Sequence, residues 1–354
     1  MKFRALDASV PADHAAWVAS WQAWPDREVM AHPEFALLFA RPGDRVVCLL
    51  GEDAGGCILF PLILRPLAVE PWARKGEDRW DATTPYGYGG AYAWGAGPRD
   101  DSAFWSAHAA WCREAKVVST FARLSLFPDQ LSSMPGHVEE RVPNIVVPLG
   151  GGPEAITAGY ESKVRKWVKT AEAAGLTVEA DGTGARLEEF LAIYKHTMTR
   201  NGATDWYFFP REFFQRIIDK LPGQFVFFHT LQNGKSVSCD LVLCSTRYVY
   251  YFLGGTFEEA YDLGPNYLLK HRIALWAAAE GKTGYVLGGG YELGDGLFRY
   301  KRAYARKGEV AFKVACLIHD EKAVAELSRD RTEHEARAGK TWTPKPGYFP
   351  SYRA

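Results

Sequence analysis

The chain has 354 residues, 47% of them hydrophobic and 24% charged. That is enough for a sizeable core and, at roughly 100–200 residues per domain, for two domains. Lysine plus arginine and aspartate plus glutamate both number 42, so the formal net charge is zero, which excludes a protein that coats nucleic acid with its whole surface; no DNA partner is expected. The longest apolar runs, Cys57–Leu64 and Ile273–Ala279, fall well short of the roughly 20 residues that cross a bilayer. No apolar block follows the first basic residues, so no secretory leader is read. The six cysteines, at 48, 57, 112, 239, 244 and 316, form no C-x-x-C pair and no His/Cys spacing suits zinc. They read as reduced thiols of a cytoplasmic protein, and no metal is expected.

In chain order, residues 17–40 read as helix. Arg45–Leu50 and Cys57–Leu64 read as strands joined by a Gly-containing turn. Residues 79–98 form an aromatic, Gly-rich loop with Asp81 as a polar group within it. A helix is predicted over 101–116, capped by Asp101 or Ser102, then strands at Phe121–Phe127 and Asn144–Leu149. Gly150-Gly151-Gly152-Pro153 is the sharpest punctuation in the chain, so the domains are expected at 1–150 and 151–330, with a polar tail at 331–354. The second half reads as helix 154–175, strand Leu176–Ala180, helices 185–200 and 210–220, and strands Phe225–Gln232, Ser236–Ser245 and Tyr248–Leu253. The first two of these strands are joined by the hairpin signal Asn233-Gly234. Helix Pro265–Glu280, strands Tyr285–Leu287 and Glu309–Ile318 and helix 320–337 complete an α+β pattern with mixed sheets.

Four stretches could carry chemistry. In 160–176, Val164, Trp167, Val168, Ala171 and Ala174 share one helical side, while Lys163, Arg165, Lys166 and Lys169 share the other; that side is either a solvated face or a phosphate-binding one. The run 297–307, LFRYKRAYARK, interleaves Arg299, Lys301, Arg302, Arg306 and Lys307 with Phe298, Tyr300 and Tyr304. As an extended segment it would send Tyr300 and Lys301 to opposite faces, whereas an irregular loop could bring both to one cleft. The aromatic loop either packs over the core or lines a pocket. On the helix over 265–281, Leu268, Leu269, Ile273, Trp276 and Ala279 define an apolar arc, with Arg272 inside it and His271 at its edge; an arginine there needs a partner or a cavity. No nucleotide fingerprint and no hydrolase elbow is present.

Four segments, in order, resemble the FemAB/FemX family, peptidoglycan interpeptide-bridge aminoacyltransferases built from two tandem GNAT-like (acetyltransferase-like) domains. They are PYGYGG at 85–90, KVRKWVKTAEAAGLTV at 163–178, LGGTFEEAYDLGPNYLLKHRI at 253–273 and GYVLGGGYELGDGLFRYKRAYA at 284–305. Lys163 stands where the family usually has a small polar residue, and Tyr300-Lys301 stands for its Phe-Lys.

The resemblance implies two GNAT-like domains, each a mixed, mostly antiparallel sheet flanked by helices, with the acceptor on the N-terminal side and the acyl donor on the C-terminal side. It implies attack by an amine of a cell-envelope precursor, peptidoglycan or polysaccharide, on an activated acyl carbon. Lys301 then supplies charge to the oxyanion or leaving group, Tyr300 positions substrate, and Asp81 and His271 are candidate proton acceptors. Tyr86, Tyr88 and Gly89 line the acceptor pocket, and Lys163, Arg165 and Arg302 hold an anionic, nucleotide- or lipid-linked substrate. Gly254, Gly255, Thr256, Asn266 and Arg272 belong to the donor site. No cofactor is resident; the co-substrate is aminoacyl-tRNA, through its 3′ end, or acyl-CoA. Against acyl-CoA stands the turn Asp262-Leu263-Gly264-Pro265-Asn266-Tyr267, which has one glycine where CoA-binding members carry a Gly-rich turn, and a proline without an N–H. The alternatives are an acyl-CoA-dependent N-acyltransferase acting on a nucleotide-linked amino sugar or small amine, and a degenerate, non-catalytic binding module. A monomer or weak dimer is expected.

Overall fold

The computed structural model describes residues 1–96 and 101–354; the last two residues of the predicted aromatic loop, 97 and 98, lie outside them. The chain divides into two compact units. The first comprises Met1–Pro25, Met30–Arg141 and Phe312–Ala354, the second Asp26–Val29 and Val142–Ala311.

The first unit opens with β1 (Lys2–Asp7), α1 (Pro11–Ala23) and α2 (Pro33–Leu37). The single helix predicted over 17–40 is thus two helices: Trp24, before Pro25, is extended, as the residue preceding a proline prefers, and Pro33 starts the second with its fixed φ. Strands β2 (Arg45–Asp53) and β3 (Gly56–Pro66) form the predicted hairpin, whose turn is tied by Asp53 accepting from the N–H groups of Gly55 and Gly56 at 2.8 and 3.1 Å. The aromatic stretch holds two short strands, β4 (Trp80–Thr83) and β5 (Tyr92–Trp94), both paired to β3. Asp101 and Ser102 lie in the first turn of α3 (Asp101–Glu114). Next come β6 (Val117–Arg123), parallel to β4, and β7 (His137–Pro148). β6 begins and ends four residues earlier than predicted, because Phe127 already caps a short helical turn.

The second unit begins within β7. Its helices α4 (Gly152–Gly159) and α5 (Ser162–Ala173) replace the one helix predicted. Between them Tyr160 turns into the core, fully buried, and the Glu161 N–H donates to Ala303 O at 2.8 Å. β8 (Thr177–Asp181), α6 (Leu187–Arg200), α7 (Arg211–Lys220), β9 (Phe225–Gln232) and β10 (Lys235–Cys244) follow. The β9–β10 turn places both Asn233 and Gly234 at positive φ, 52° and 79°, the conformation that a two-residue hairpin needs. Then come β11 (Tyr248–Thr256), α8 (Pro265–Ala279), β12 (Gly284–Gly288) and α9 (Gly296–Arg302). The sheet order is β7-β12-β11-β10-β9-β8, antiparallel except for the β11–β12 pair. α5 and α8 cover it over a core that includes Val147, Val164, Phe228, Leu269, Ile273 and Tyr285.

β13 (Glu309–Ile318) and α10 (Glu321–Arg337) return the chain to the first unit. Gly150–Pro153 turn β7 into α4, while the chain passes between the units inside strands β7 and β13, as well as on either side of Asp26–Val29. Within 331–354, Tyr352 is fully buried beside Trp72 and Leu327. The expected class, α+β with mixed, mostly antiparallel sheets, is the one observed.

Candidate active site

The predicted extended run at 297–307 is helical at its start. Asp295 caps α9, accepting from Phe298 N at 2.6 Å and from Tyr291 N and Glu292 N at 2.7 and 3.0 Å. Such a cap satisfies amide groups that a helix start leaves bare, and it decides the local geometry. Tyr300 and Tyr304 become neighbours one turn apart, their hydroxyls 3.1 Å from each other. Lys301 turns inward, 7% exposed, and its Nζ donates to Gly289 O at 2.6 Å.

Lys301 meets the place where the second unit's sheet comes apart. Parallel pairs between β11 and β12 run only from Tyr248↔Gly284 to Tyr250↔Val286. β11 then continues to Thr256 along β10 alone, with Phe252 as an extra residue in the ladder. Tyr251, the first residue past the last pair, presents its ring to two ammonium groups: Lys270 Nζ is 3.9 Å from the ring centroid and Lys301 Nζ 5.8 Å. Lys270 is paired with Asp240 at 2.8 Å, both side chains 5% exposed. Burial pushes the Asp240 carboxyl up, and Lys270 opposes it. Lys301 has a carbonyl rather than a carboxylate partner. Burial, followed by the nearby charge of Lys270, brings its pKa down to about 7, with Asp295 opposing weakly. A buried cation tuned to neutrality is suited to exchanging a proton during a reaction.

The remaining second-unit residues fall in and around this group. Asn266 Nδ2 donates to the Tyr300 hydroxyl at 3.2 Å. His271 is buried, its Nδ1 3.4 Å from the Tyr160 hydroxyl, and desolvation lowers its pKa. Arg272 is not in the apolar arc: it is exposed and paired with Glu172 at 2.9 Å. The cation on the buried side of α8 is Lys270, and Ala279, also assigned to the arc, is exposed. Gly254, Gly255 and Thr256 are not a turn but the end of β11. A Cβ on Gly254 would stand 2.2 Å from Asp240 Oδ1, and one on Gly255 2.2 Å from Thr197 Oγ1, so these glycines make room for the Asp240 carboxylate and for α6. Thr256 Oγ1 is buried, 2.7 Å from Ser238 Oγ.

On α5 the cationic face points to solvent. Lys163 is 3.5 Å from Glu161 and Arg165 donates to Tyr160 O; Arg302, past Lys301, is 2.9 Å from Glu309. The α8 N-terminus is closely covered, since a Cβ on Gly264 would stand 2.8 Å from the Trp167 ring, which also stacks on Tyr267 with centroids 5.9 Å apart.

In the first unit, Asp81 is fully buried, paired with Arg65 at 2.7 Å and with Arg353. Tyr86 lies against Phe39, 5.5 Å between centroids, and Tyr88 edge-on to Phe312 at 5.7 Å. Gly89 O accepts from Ser125 N at 2.8 Å. The loop thus packs its aromatics against the first unit's own side chains.

Asp240, Lys270 and Tyr251 escaped the sequence reading. The signal available was an aspartate inside the apolar strand SVSCDLVLC and a lysine inside LLKHRI, two opposite charges in segments that otherwise bury.

The acetyltransferase (GNAT) domain sequence model matches residues 160–302. The solved structure of FemX is similar over 90% of this chain and 97% of its own, with TM-score 0.65 and 13% identity. The C-terminal domain of a putative lysylphosphatidylglycerol synthetase from Agrobacterium fabrum is similar over 90% and 96%, with TM-score 0.53 and 13% identity. L-PGS from Bacillus licheniformis is similar over 91% and 96%, with TM-score 0.52 and 12% identity. No curated protein matches the sequence. Residues 160–302 thus match a GNAT domain, in a chain that has the fold of FemX.

Proposed function

We propose that the chain is an acyltransferase that moves an aminoacyl or acyl group from an activated ester onto an amine of a cell-envelope precursor. The observation that carries the reading is Lys301: a buried ammonium held by a carbonyl, beside a tyrosine ring, where β11 and β12 separate inside the matched domain. The acceptor nitrogen attacks the acyl carbonyl carbon. A C–N bond forms, the C–O bond to the carrier breaks, and its electron pair leaves on the carrier oxygen, which takes up a proton. Charge builds first on the carbonyl oxygen and then on the leaving oxygen. A preorganised cation in a site of low polarity stabilises both, an effect worth about 10²–10³ in rate for a single donor. Protonated Lys301 supplies that charge and gives its proton to the leaving oxygen. Its neutral form, accessible near pH 7, takes the proton that the amine must lose. Tyr300, fixed by Asn266 and Tyr304, positions substrate beside it.

His271 is a proton acceptor only through Tyr160 in this arrangement, and both Asp81 oxygens are engaged by arginines, so Lys301 is assigned the proton transfers. In the second unit, Lys163, Arg165 and Arg302 are the contacts for an anionic, nucleotide- or lipid-linked group; in the first unit, Tyr86, Tyr88 and Gly89 are the candidate acceptor residues. The covered α8 N-terminus and Pro265 favour an aminoacyl ester over coenzyme A as donor carrier. The second reading, a coenzyme A thioester, is favoured by the match of residues 160–302 to an acetyltransferase domain.

The test compares loss of label from a mixed pool of charged tRNA and from acetyl-CoA, with and without amine acceptors. Turnover of charged tRNA that falls about 10²–10³-fold in Lys301→Ala is the expected result. Full activity in Lys301→Ala rejects the catalytic assignment. Turnover of acetyl-CoA alone replaces the aminoacyl donor with the second reading, and turnover of neither rejects both donors.

A further inference from the structure

The first unit contains a cluster that the acyl-transfer reading does not use. His108 and Cys112 stand four residues apart on α3 and so share one helical face. They are 1% and 0% exposed, with His108 Nε2 3.6 Å from Cys112 Sγ. His319, immediately after β13, brings its ring to 5.2 Å from that of His108. One donor atom from each residue lies within 4.8 Å of the other two.

We propose that His108, Cys112 and His319 form a binding site for a thiophilic d¹⁰ cation, zinc by preference. The geometry suits that ion. Bonds of about 2.3 Å to sulfur and about 2.0–2.1 Å to imidazole nitrogen, set at a tetrahedral angle, separate the two donors by about 3.6 Å, which is the His108–Cys112 distance. Closing His319 onto the same centre needs a shift of about an ångström, within reach of one partly exposed side chain at a strand end. The surroundings are those of a built site. Thr120 Oγ1 is 2.9 Å from His319 Nε2 and orients that ring, as outer hydrogen bonds do for metal-binding histidines. Trp105 and Phe60 pack on His108 with centroids 5.3 and 5.9 Å away and keep water from one side, while His319, half-buried, leaves an entry path.

On binding, the zinc–sulfur bond forms as the Cys112 thiol gives its proton to solvent, and a small exogenous ligand completes four-coordination. The ion then joins α3 to the end of β13, two segments of one unit far apart in sequence. It closes a very long loop and stabilises the returning C-terminal portion.

The experiment uses the full chain without an affinity tag. Metal content of the purified protein is measured by mass spectrometry. The metal-free protein is then titrated with Co²⁺, reading the thiolate-to-cobalt charge-transfer absorption, and with Zn²⁺, reading the thermal midpoint. The expected result is one equivalent of ion per chain, the thiolate band, a midpoint raised by Zn²⁺, and affinity at least about tenfold weaker in Cys112→Ser and in His319→Gln. Copper found in place of zinc and lost in the same variants also supports the site. A folded chain with no thiolate band, or a band and affinity unchanged in Cys112→Ser, overturns it. Should Cys112→Ser fail to fold, protection of Cys112 from alkylation by Zn²⁺ in the unaltered chain gives the same decision: alkylation unaffected by saturating Zn²⁺ overturns the site.

Discussion

Lys270 and Lys301 approach one ring, that of Tyr251, with their ammonium nitrogens 3.9 and 5.8 Å from its centroid. Only Lys270 is neutralised, by Asp240 at 2.8 Å. The ion pair anchors one cation. The second, left with a carbonyl and a neighbour of its own sign, gives up its proton easily. The asymmetry leaves two buried lysines in different states, one held in an ion pair and one with its pKa brought down to about 7.

That lowered pKa should show in stability. Lys301 releases its proton near pH 7 in the folded chain, against an ordinary value of 10.5. Below pH 7 both states bind the proton and folding bears the whole cost of burying the charge. Between 7 and 10.5 only the unfolded chain keeps it, so this group makes stability rise with pH. Urea midpoints measured from about pH 6 to about pH 10 should climb in the unaltered protein and climb less in Lys301→Met. Identical slopes in the two proteins would show that Lys301 titrates normally.

Asp240→Ala leaves the Lys270 ammonium buried without a counter-charge. A loss of about 3–5 kcal/mol in unfolding free energy is expected. The double change Asp240→Leu with Lys270→Met should recover most of it, since two apolar groups replace two charges. A single variant as stable as the double one would mean that the pair is not buried in solution.

Gly255→Ala tests the close approach of α6 to the end of β11. The new Cβ would stand 2.2 Å from Thr197 Oγ1 and 3.0 Å from Ile193 O, and the backbone oxygen cannot rotate away. Overpacking of this kind costs about 1–3 kcal/mol. Denaturant unfolding should show that loss, and Thr197→Ala should relieve part of it.

Removal of residues 351–354 should destabilise the first unit by at least about 3 kcal/mol, the typical cost of losing one buried aromatic. It deletes fully buried Tyr352, whose hydroxyl is 2.8 Å from Ser119 Oγ. It also takes Arg353 from Asp81 and Glu70. A truncated chain with an unchanged melting midpoint would show that the C-terminus does not dock.

Much of the local structure was legible because its causes are local. Asn233-Gly234 between alternating strands could form little but a tight hairpin, and β9 and β13 follow from β-branched and aromatic runs. The ordered motifs at 163–178, 253–273 and 284–305 sufficed to indicate a GNAT-like, α+β chain and to single out Lys301 and Tyr300. Short-range signals were also misread where two causes competed. The 297–307 run alternates like a strand, but the Asp295 cap makes its start helical. On the helix 265–281, Leu268, Leu269 and Ile273 are buried as expected, but the inward cation is Lys270, and Arg272 finds its partner, Glu172, at the surface.

What the sequence by itself determined is the class of fold and most of its elements, since capping, periodicity and motif order act over a few residues. What only the tertiary structure decided is which charges meet. Asp240 and Lys270, Asp81 and Arg353, and His108, Cys112 and His319 lie on separate elements. Their partners are chosen by strand order and helix packing, and the cost of burying a charge or a ligand atom is met only once those elements are brought together.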